Sequence, residues 1–496
     1  MILAVWIAAE MGLNPPARAQ SPTVVPVVNV PRFEQNINLT QGAIFWLGQV
    51  NPSNNYADVR VGYNNEALRV DAHVFDRLLW YDVEPLSHEL TQWDSVTLLL
   101  HLDENSEGDT PSQNSYRFVA QFNQAGSRNN YQTVAQGSSP DWVVSSIPFT
   151  TTTGWRGQGL NDDQDDRGWN ATFDIPFASL GLSSAPTSGA VWRAALIVHD
   201  RDDATGTPIP DQSWPQGMDM QRPSTWGQFA FDKPAYTPPP ASPGETVTIR
   251  QGLNGISVTD AHVGGHSTCG QAFWPQFFNG WGDANYAGFE QINIQNQWDV
   301  ADWPCFSKYY VTFPTSSIPQ GKTIISATLT LHLFGNAGYE PGQAKPSLLQ
   351  VATVAEAWRE DALTWNNAPK LQENIATTWV DPVDVFPGYP GVPAKWDVSG
   401  AMAQSYATGI PLQLVIYSPD GAYHSGKYFS SSDTGDWNAV ARPTLQVLWG
   451  EPQNPGEPDT PEEPGDPGTP EDPGDPEPPT SSTNLYLPLL LDDGSS

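Results

Sequence analysis

Tryptophan side chains are the residues of this sequence best suited to bind a ligand. The chain has 20 of them, and many lie in stretches rich in Gly, Asn and Pro. The densest aromatic stretch, residues 273–289, contains Trp274 and Trp281. An exposed indole can stack on the C–H face of a pyranose while nearby Asn, Asp and Gln side chains bond its hydroxyl groups. These two tryptophans are therefore candidates for saccharide contact, the alternative being that they fill the ends of a β-sandwich.

Two further tryptophans lie next to polar turns. Trp142 follows G-S-S-P-D and Trp155 follows T-T-T-G. Both positions suit a ring that is only partly covered by its neighbours, so we include them as candidates for ligand contact, with core packing as the alternative.

Carboxylates cluster in residues 103–109, 162–166 and 200–203. Oxygen-rich turns of this kind are what calcium requires, and the alternative is a set of solvated turns. Asp163 and Asp165 fall at positions of a calcium-loop template, but Arg167 stands where a ligand oxygen is needed, which argues against an EF-hand. We expect one structural calcium ion in the N-terminal half, with Asp103, Asp109, Asp163 and Asp165 as candidate ligands.

Catalytic motifs are missing from the sequence. It contains no G-x-S-x-G, H-E-x-x-H, P-loop or dinucleotide fingerprint. Among 55 acidic residues, two could lie at the separation of a glycosidase pair by chance, so their presence decides nothing. The sequence predicts a protein without enzymatic activity that requires no cofactor.

Composition indicates an all-β protein that avoids polyanions. The chain is long enough for two or three domains, and 47 prolines and 42 glycines indicate many turns. A formal charge of −33 argues against nucleic acid, anionic lipid and, without bridging cations, acidic polysaccharides as partners. A neutral polymer fits better.

The N-terminus and the cysteines indicate export. Residues 2–9 are apolar, and Ala17-Arg18-Ala19 matches an A-x-A cleavage site, which predicts a signal peptide over residues 1–19 that is truncated at its charged end. In a secreted chain Cys269 and Cys305 predict one disulfide that stabilises the fold by on the order of 3 to 4 kcal/mol. A zinc site would need more ligands.

The C-terminal half carries a family-specific pattern. Residues 357–369 read A-W-R-E-D-A-L-T-W-N-N-A-P, and K-Y-Y-V-T-F, I-P-Q-G and I-S-A-T-L-T-L-H-L precede them. In the last run Ile325, Ala327, Leu329, Leu331 and Leu333 alternate with polar residues, as in a strand with one buried face. We interpret residues 308–333 as an antiparallel hairpin. With W-D-V-S-G-A, F-S-S-S-D and R-P-T-L-Q-V downstream, residues 245–449 resemble the DNRLRE domain, a β-sandwich classed as a family 96 carbohydrate-binding module.

The N-terminal half resembles a different module. D-V-R-V-G, L-R-V-D-A-H-V-F, V-T-L-L-L-H-L and Y-R-F-V-A-Q-F have strand patterns. Together with I-P-F-A-S-L-G-L and the closing W-G-Q-F-A-F, they resemble the family 9 carbohydrate-binding modules and DOMON-like sandwiches over residues 32–231. In members of that family that bind sugar, two tryptophans clamp a terminal sugar ring. The resemblance implies that Trp80 and Trp214 occupy those places here.

Proline-rich segments separate the predicted parts. We expect a β-sandwich over residues 30–232, a stiff linker over 233–244 and a second sandwich over 245–450. An acidic spacer with proline at every third residue follows over 451–483, and a short apolar tail, too short to cross a bilayer, over 484–496.

These features predict a secreted or cell-surface protein, monomeric and without a membrane span, that binds an extracellular, neutral polysaccharide through two all-β sandwich modules. A structural or adhesive surface protein is the alternative, followed by a glycoside hydrolase or polysaccharide lyase. Exposed aromatic surfaces would favour binding, buried tryptophans a scaffold, and a cleft with facing carboxylates an enzyme.

Overall fold

The computed structural model describes residues 25–85, 89–103, 109–124, 127–264, 277–297, 305–338, 340 and 342–453. Strands account for 47% of the chain and helices for 10%, which confirms the predicted all-β class. Met1–Gln453 form one compact unit. The predicted signal peptide, the apolar tail and almost all of the acidic spacer lie outside the described residues.

Two sheets form the N-terminal half. Its strands are β1 (Val27–Val30), β2 (Ala43–Asn51), β3 (Asn54–Tyr63), β4 (Ala67–Phe75), β5 (Ser95–His101), β6 (Ser115–Gln121), β7 (Gln132–Ser138), β8 (Asp141–Ser145), β9 (Thr150–Gly157), β10 (Asp166–Pro176), β11 (Val191–Arg201), β12 (Pro208–Trp214) and β13 (Gly227–Phe231). One antiparallel sheet has the order β2-β3-β4-β10-β9. In the facing sheet, β8, β7, β6, β5 and β11 pair in that order, and β11 continues to β12 and to β13, which pairs in parallel with β1.

Strict alternation in β4 shows how the core of this half forms. Leu68, Val70, Ala72 and Val74 are buried in one apolar cluster together with the inward side chains of β5 and β6. Because successive side chains of a strand point to opposite faces, the residues between them lie on the other face of the sheet. These are Arg69, Asp71 and His73, so that face of the sheet is polar.

The C-terminal half is a second β-sandwich with one described α-helix. Its elements are β14 (Ala241–Arg250), β15 (Thr259–Gly264), β16 (Gln291–Asn296), β17 (Phe306–Phe313), β18 (Thr323–Asn336), β19 (Ser347–Val354), β20 (Leu371–Val380), β21 (Val392–Asp397), α1 (Ser399–Thr408), β22 (Leu412–Tyr417), β23 (Lys427–Ser430) and β24 (Thr444–Pro452). One sheet runs β15-β17-β22-β19-β20. The other runs β14-β24-β18-β21, and β23 and β16 extend it.

The predicted hairpin of residues 308–333 is wrong. β17 pairs with β15, β16 and β22, whereas β18 pairs with β21, β23 and β24, so the two strands belong to opposite sheets. The alternation within β18 is confirmed from Ala327 to Leu333. It fails at Ile325 because a bulge between Ile324 and Ser326 turns Ile324 into the core instead.

Candidate functional site

Charged and hydroxyl side chains project from one face of the sheet β2-β3-β4-β10-β9, which we call the polar face. Antiparallel partners project to the same side, so the strand registers define its members. They are Tyr56, Asp58 and Arg60 on β3, Arg69, Asp71 and His73 on β4, and Asn170, Thr172 and Asp174 on β10. The C-terminal half covers the part formed by β2 and β3, while clefts lie along the part formed by β4, β10 and β9.

A lysine of the C-terminal half is enclosed by four aromatic rings on the covered part. The Nζ atom of Lys308, on β17, lies 4.3 Å from the ring centre of Trp46 and 4.6 Å from that of Tyr56, both from the N-terminal half. It lies 3.6 Å from the centre of Trp365 and 4.7 Å from that of Tyr417, both from its own half. Lys308 is 2% exposed. The two halves thus build one aromatic cage around a buried ammonium group.

The carboxylate of Asp58 neutralises this cage from the N-terminal side. Lys308 Nζ donates to Tyr56 Oη at 2.5 Å, and Tyr56 Oη donates to Asp58 Oδ1 at 2.5 Å. Asp58 Oδ2 accepts from Tyr417 Oη and from Asn296 Nδ2, each at 3.0 Å. Burial lowers the pKa of the Lys308 ammonium, and the charge of Asp58 opposes that shift. Parting the two halves would leave both charges without their partners.

The most family-specific stretch of the sequence lies at the same contact. Asn366 mimics a strand neighbour of β2, because its Oδ1 accepts from Val50 N at 2.8 Å and its Nδ2 donates to Val50 O at 3.1 Å. Asn366 Nδ2 also donates to Asp283 at 2.9 Å, and Lys370 Nζ donates to Gly48 O at 2.7 Å. In this chain the W-N-N-A-P stretch therefore helps to bind one half to the other.

The first open cleft lies where β4 and β9 begin and β10 ends. It has a volume of about 390 Å³ and is lined by Arg69, Asp174, threonines of β9 and β10, and the apolar side chain of Ile37. Arg69 Nε donates to Asp174 Oδ2 at 2.9 Å, its Nη2 donates to the same oxygen, and Nη1 donates to Ile37 O at 3.3 Å. The ion pair keeps these hydrogen-bonding groups in place beside the apolar side chain of Ile37.

The second open cleft continues along β10 and includes one of the tryptophans predicted to contact a ligand. Its volume is about 240 Å³, and its lining includes Trp155, Trp169, His73, Asn170 and Arg167. Trp155 is half-buried and packs against the core of the N-terminal half. Indole rings beside an amide, an imidazole and a guanidinium group form the mixed apolar and polar surface of a small-ligand site.

Between the two clefts, Asp71 fixes the side chains that line them. It accepts hydrogen bonds from His73 Nε2 at 2.5 Å, Thr172 Oγ1 at 2.8 Å and Asn170 Nδ2 at 3.3 Å. Burial acts to raise the pKa of Asp71, but His73 and Thr172 outweigh it and lower that pKa to about 2. Burial lowers the pKa of His73. We call the two clefts and this row of side chains the polar groove.

Trp80 and Trp214, which the resemblance implies as the pair that clamps a sugar ring, are both buried. Trp80 is 8% exposed, and its backbone N–H donates to Asp94 at 2.6 Å. Trp214 is 3% exposed and packs on Phe45, with ring centres 4.5 Å apart. Trp214 lies in the apolar core of the N-terminal half, and the role of both rings in ligand binding stays a prediction. Trp274 lies outside the described residues.

The remaining candidate tryptophans lie apart from the polar groove. Trp142 is half-buried on β8 of the facing sheet, with the guanidinium of Arg117 at 5.8 Å from its ring centre. Trp281 is half-buried between Phe277 and Trp365, each with its ring centre 4.9 Å away. Of the predicted tryptophans that lie within the described residues, only Trp155 lines either cleft. The role of each in ligand binding stays a prediction.

Four carboxylates meet at one end of the N-terminal sandwich. The ligand oxygens of Asp76, Asp200 and Asp202 lie within 4.8 Å of one another, and Asp94 interacts electrostatically with all three. Burial, together with the charges of neighbouring carboxylates, raises the pKa of Asp200 to about 8. Burial raises the pKa of Asp202 to about 6, and burial and neighbouring charges raise those of Asp76 and Asp94 well above the usual range.

This group fits a hard divalent cation. Asp76 Oδ2 and Asp200 Oδ1 are buried without a hydrogen-bond partner, and unpaired buried carboxylate oxygens are costly unless a cation binds them. Three carboxylates supply only oxygen ligands, which suits calcium better than a transition metal. The fourth carboxylate, Asp94, accepts hydrogen bonds from the backbone N–H groups of Trp80 at 2.6 Å and Arg201 at 3.0 Å.

The carboxylates predicted as calcium ligands have other partners. Asp109 accepts from Ser224 N at 2.8 Å and from Arg222 Nε at 3.3 Å. Asp103 accepts from Asn114 at 2.8 Å. Asp165 pairs with Arg77 at 2.7 Å, and Asp163 is exposed. Of the acids that do lie together, Asp200 and Asp202 belong to the 200–203 cluster seen in the sequence, although they were not named as ligands. Asp76 and Asp94 were missed, because only the fold brings these strand ends together.

The predicted disulfide cannot be followed across both of its cysteines. Cys305 is buried at the start of β17, and Cys269 lies outside the described residues. The pairing stays a prediction.

Comparison with known protein families finds a similarity in the C-terminal half. Residues 279–445 match the model of carbohydrate-binding module family 96, which confirms the resemblance found in the sequence. No curated protein matches the chain. Within the described residues, no helix is long and apolar enough to span a bilayer.

Solved structures that are similar to part of this chain include the following two. A family 9 carbohydrate-binding module from Caldicellulosiruptor kristjanssonii, in complex with cellotriose, is 16% identical, with a TM-score of 0.30 over 42% of this chain and 95% of that one. A putative carbohydrate-binding protein from Bacteroides uniformis is 11% identical, with a TM-score of 0.32 over 42% of this chain and 99% of that one.

Proposed function

We propose that this protein is a secreted, monomeric, non-catalytic protein that binds a neutral extracellular polysaccharide, and that the polar groove is its main sugar site. The observation that carries this proposal is the second cleft, where Trp155 lies beside His73, Asn170 and Arg167. An indole can cover the apolar face of a sugar ring while the polar groups bond its hydroxyls. The match of residues 279–445 to a family of carbohydrate-binding modules supports the same ligand class.

Charge supports a neutral rather than an acidic polymer. The formal net charge of −33 disfavours the approach of polyanions to the protein. Within the groove, Arg69 is already paired with Asp174. Both side chains can exchange hydrogen bonds with hydroxyl groups, which need donors and acceptors but no net charge. In this proposal calcium at Asp76, Asp200 and Asp202 stabilises the module and takes no part in sugar contact.

A structural or adhesive surface protein is the second candidate. The burial of Trp80 and Trp214 and the interlocked halves favour it, because a spacer needs rigidity and no open ligand surface. It predicts that the protein ignores polysaccharides altogether.

Affinity electrophoresis of the full chain separates the two candidates. Gels would contain hydroxyethylcellulose, galactomannan or laminarin as neutral polymers and alginate as the acidic one. We expect retardation by at least one neutral polymer and none by alginate. Trp155→Ala should weaken that retardation at least ten-fold, whereas Trp142→Ala, a half-buried tryptophan beside an arginine on the other sheet, should leave it unchanged. Absence of retardation by every polymer would overturn the proposal in favour of the scaffold.

A further inference from the structure

Three aromatic side chains lie exposed and in mutual contact on the C-terminal half. Phe386 is 56% exposed, Tyr389 66% and Trp437 65%. The ring centres of Phe386 and Tyr389 are 5.1 Å apart, and those of Tyr389 and Trp437 are 4.5 Å apart. We call these three residues the aromatic patch. Single exposed aromatic residues are common, but a contiguous group marks an interaction surface.

The patch belongs to the ordered framework of the sandwich. Phe386 and Tyr389 lie in the connection from β20 to β21, which Val383 N ties to Asn336 Oδ1 at 2.6 Å. β21 then pairs with β18 from Val392 onward. The connection therefore starts and ends on fixed backbone, which limits the positions that its rings can take.

Arg442 holds the segment that carries Trp437. Its Nε donates to Thr434 O at 2.7 Å, its Nη1 to Gln251 O at 3.1 Å and its Nη2 to Asp436 Oδ1 at 2.7 Å. Arg442 is 8% exposed, so its guanidinium serves as a buried anchor. Trp437 follows Asp436 directly in a short 3-10 helix, Asp436–Ala441. Because Arg442 holds this backbone segment in place, the side chain of Trp437 is kept in an exposed position.

The chemistry around the rings favours a sugar over a polyanion or an apolar partner. Consecutive rings of the patch are nearly perpendicular, at 71° and 83°, so they present ring faces in more than one direction. The side chain of Asp436, beside Trp437, is 96% exposed, and Asp384 lies exposed beside Val385 in the other segment. Carboxylates accept hydrogen bonds from hydroxyl groups and repel anionic polymers.

We propose that the aromatic patch is a second polysaccharide-binding surface, at which Phe386, Tyr389 and Trp437 stack on the sugar rings of the same neutral polymer that enters the polar groove. This inference rests on the proposed function and extends it to the C-terminal half. Because both surfaces lie on one compact unit, a polymer held at one is presented to the other at high effective concentration. The affinity for a long chain then exceeds that for a short oligosaccharide.

The test compares polymer and oligosaccharide binding in full-length variants. Trp437→Ala and Tyr389→Ala remove exposed rings, so both variants should retain the wild-type Tm. Trp379→Ala is the matched control, since Trp379 lies on β20 of the same half and is 50% exposed. Retardation in hydroxyethylcellulose, galactomannan and laminarin gels gives polymer affinity. Calorimetric titration with the hexasaccharide of whichever polymer retards the wild type gives the affinity of the groove.

We expect Trp437→Ala and Tyr389→Ala to weaken polymer retardation at least five-fold. Both variants should keep the hexasaccharide affinity within two-fold of the wild-type value. The control Trp379→Ala should change neither quantity. Unchanged retardation in both patch variants would overturn the second surface while leaving the groove intact. A wild-type protein that binds no polymer would overturn both proposals. If size-exclusion chromatography with light scattering shows a dimer that Trp437→Ala dissolves, with retardation unchanged, the patch is a self-association surface instead.

Discussion

The ammonium group of Lys308 lies 3.6 Å from the centre of the Trp365 ring, and both residues sit where the C-terminal half meets the N-terminal one. Lys308 reaches Asp58 of the other half through the hydroxyl of Tyr56. A cation, its aromatic cage and its counter-charge are thus divided between two halves that the sequence suggests are separate modules.

Lys308→Met should destabilise the whole chain, because it removes the ammonium group that Tyr56 links to the buried Asp58 carboxylate. Breaking a buried pair in this way costs about 3–5 kcal/mol. The double variant Lys308→Met, Asp58→Asn should lose less than the sum of the single losses, with a coupling energy of about 0.5–3 kcal/mol. Urea unfolding measures all four proteins. Additive losses would show that the two residues do not act as a pair.

The two halves should unfold together. Because separating them uncovers Lys308, Asp58 and the apolar rings around them, we expect one calorimetric transition for the full chain, with Lys308→Met lowering its Tm as a unit. Two resolved transitions, only one of which moves in the variant, would contradict this expectation.

Asn366→Ala should weaken the contact between the halves. The substitution removes the partners of the N–H and C=O groups of Val50, which is 1% exposed. Leaving buried backbone groups unsatisfied costs about 1–3 kcal/mol. The urea midpoint should fall without a change in slope. A midpoint equal to that of the wild type would mean that water replaces the lost bonds.

Calcium should stabilise the protein at pH 8 and have little effect at pH 5. Unfolded aspartates titrate at about 3.9, whereas the folded pKa is about 6 for Asp202 and about 8 for Asp200. Between these values the folded state binds more protons than the unfolded one, so stability in chelator falls as pH rises from about 4 to about 8. Calcium at 100 times its Kd restores about 2.7 kcal/mol.

Thermal melts with calcium and with chelator across this pH range test the site. Asp200→Asn should abolish the calcium effect and flatten the pH dependence in chelator, since it removes one of the repelling charges. Asp165→Asn, at an exposed carboxylate that pairs with Arg77, is the matched control and should behave as the wild type. Calcium stabilisation that survives in Asp200→Asn would place the ion elsewhere.

Local patterns in the sequence predict the strands well and their partners poorly. Alternation in residues 327–333 identifies the buried face of β18 correctly, but it contains no information about which strand lies alongside. The hairpin with β17 was the simplest pairing, and it is wrong because the chain crosses to the other sheet. A bulge, as at Ile324, depends on the neighbouring strand β24 and leaves the sequence pattern unchanged.

Local sequence patterns likewise identify some residues of the candidate sites and miss others. Trp155 could be selected from its polar neighbours in the chain, and it lines a cleft. Trp80 and Trp214 were placed by resemblance, and packing from distant segments buries them. Asp76, Asp94 and Asp200 come from three separated strand ends, so their grouping depends on sheet order. Lys308 and Asp58 lie in strands rich in apolar residues, and the sequence patterns did not predict that these two charges are buried together.

The cage around Lys308, which both halves form, also fixes the distance between the polar groove and the aromatic patch. If the halves cannot move relative to each other without leaving a buried charge unpaired, the polar groove and the aromatic patch keep a constant separation and orientation. Two binding sites joined by a flexible linker can adapt to any polysaccharide, whereas two sites on a rigid body bind only segments at one fixed spacing. Such a protein would discriminate among polymers of identical sugars by their stiffness, branching or packing, because only some architectures present two segments at that one spacing.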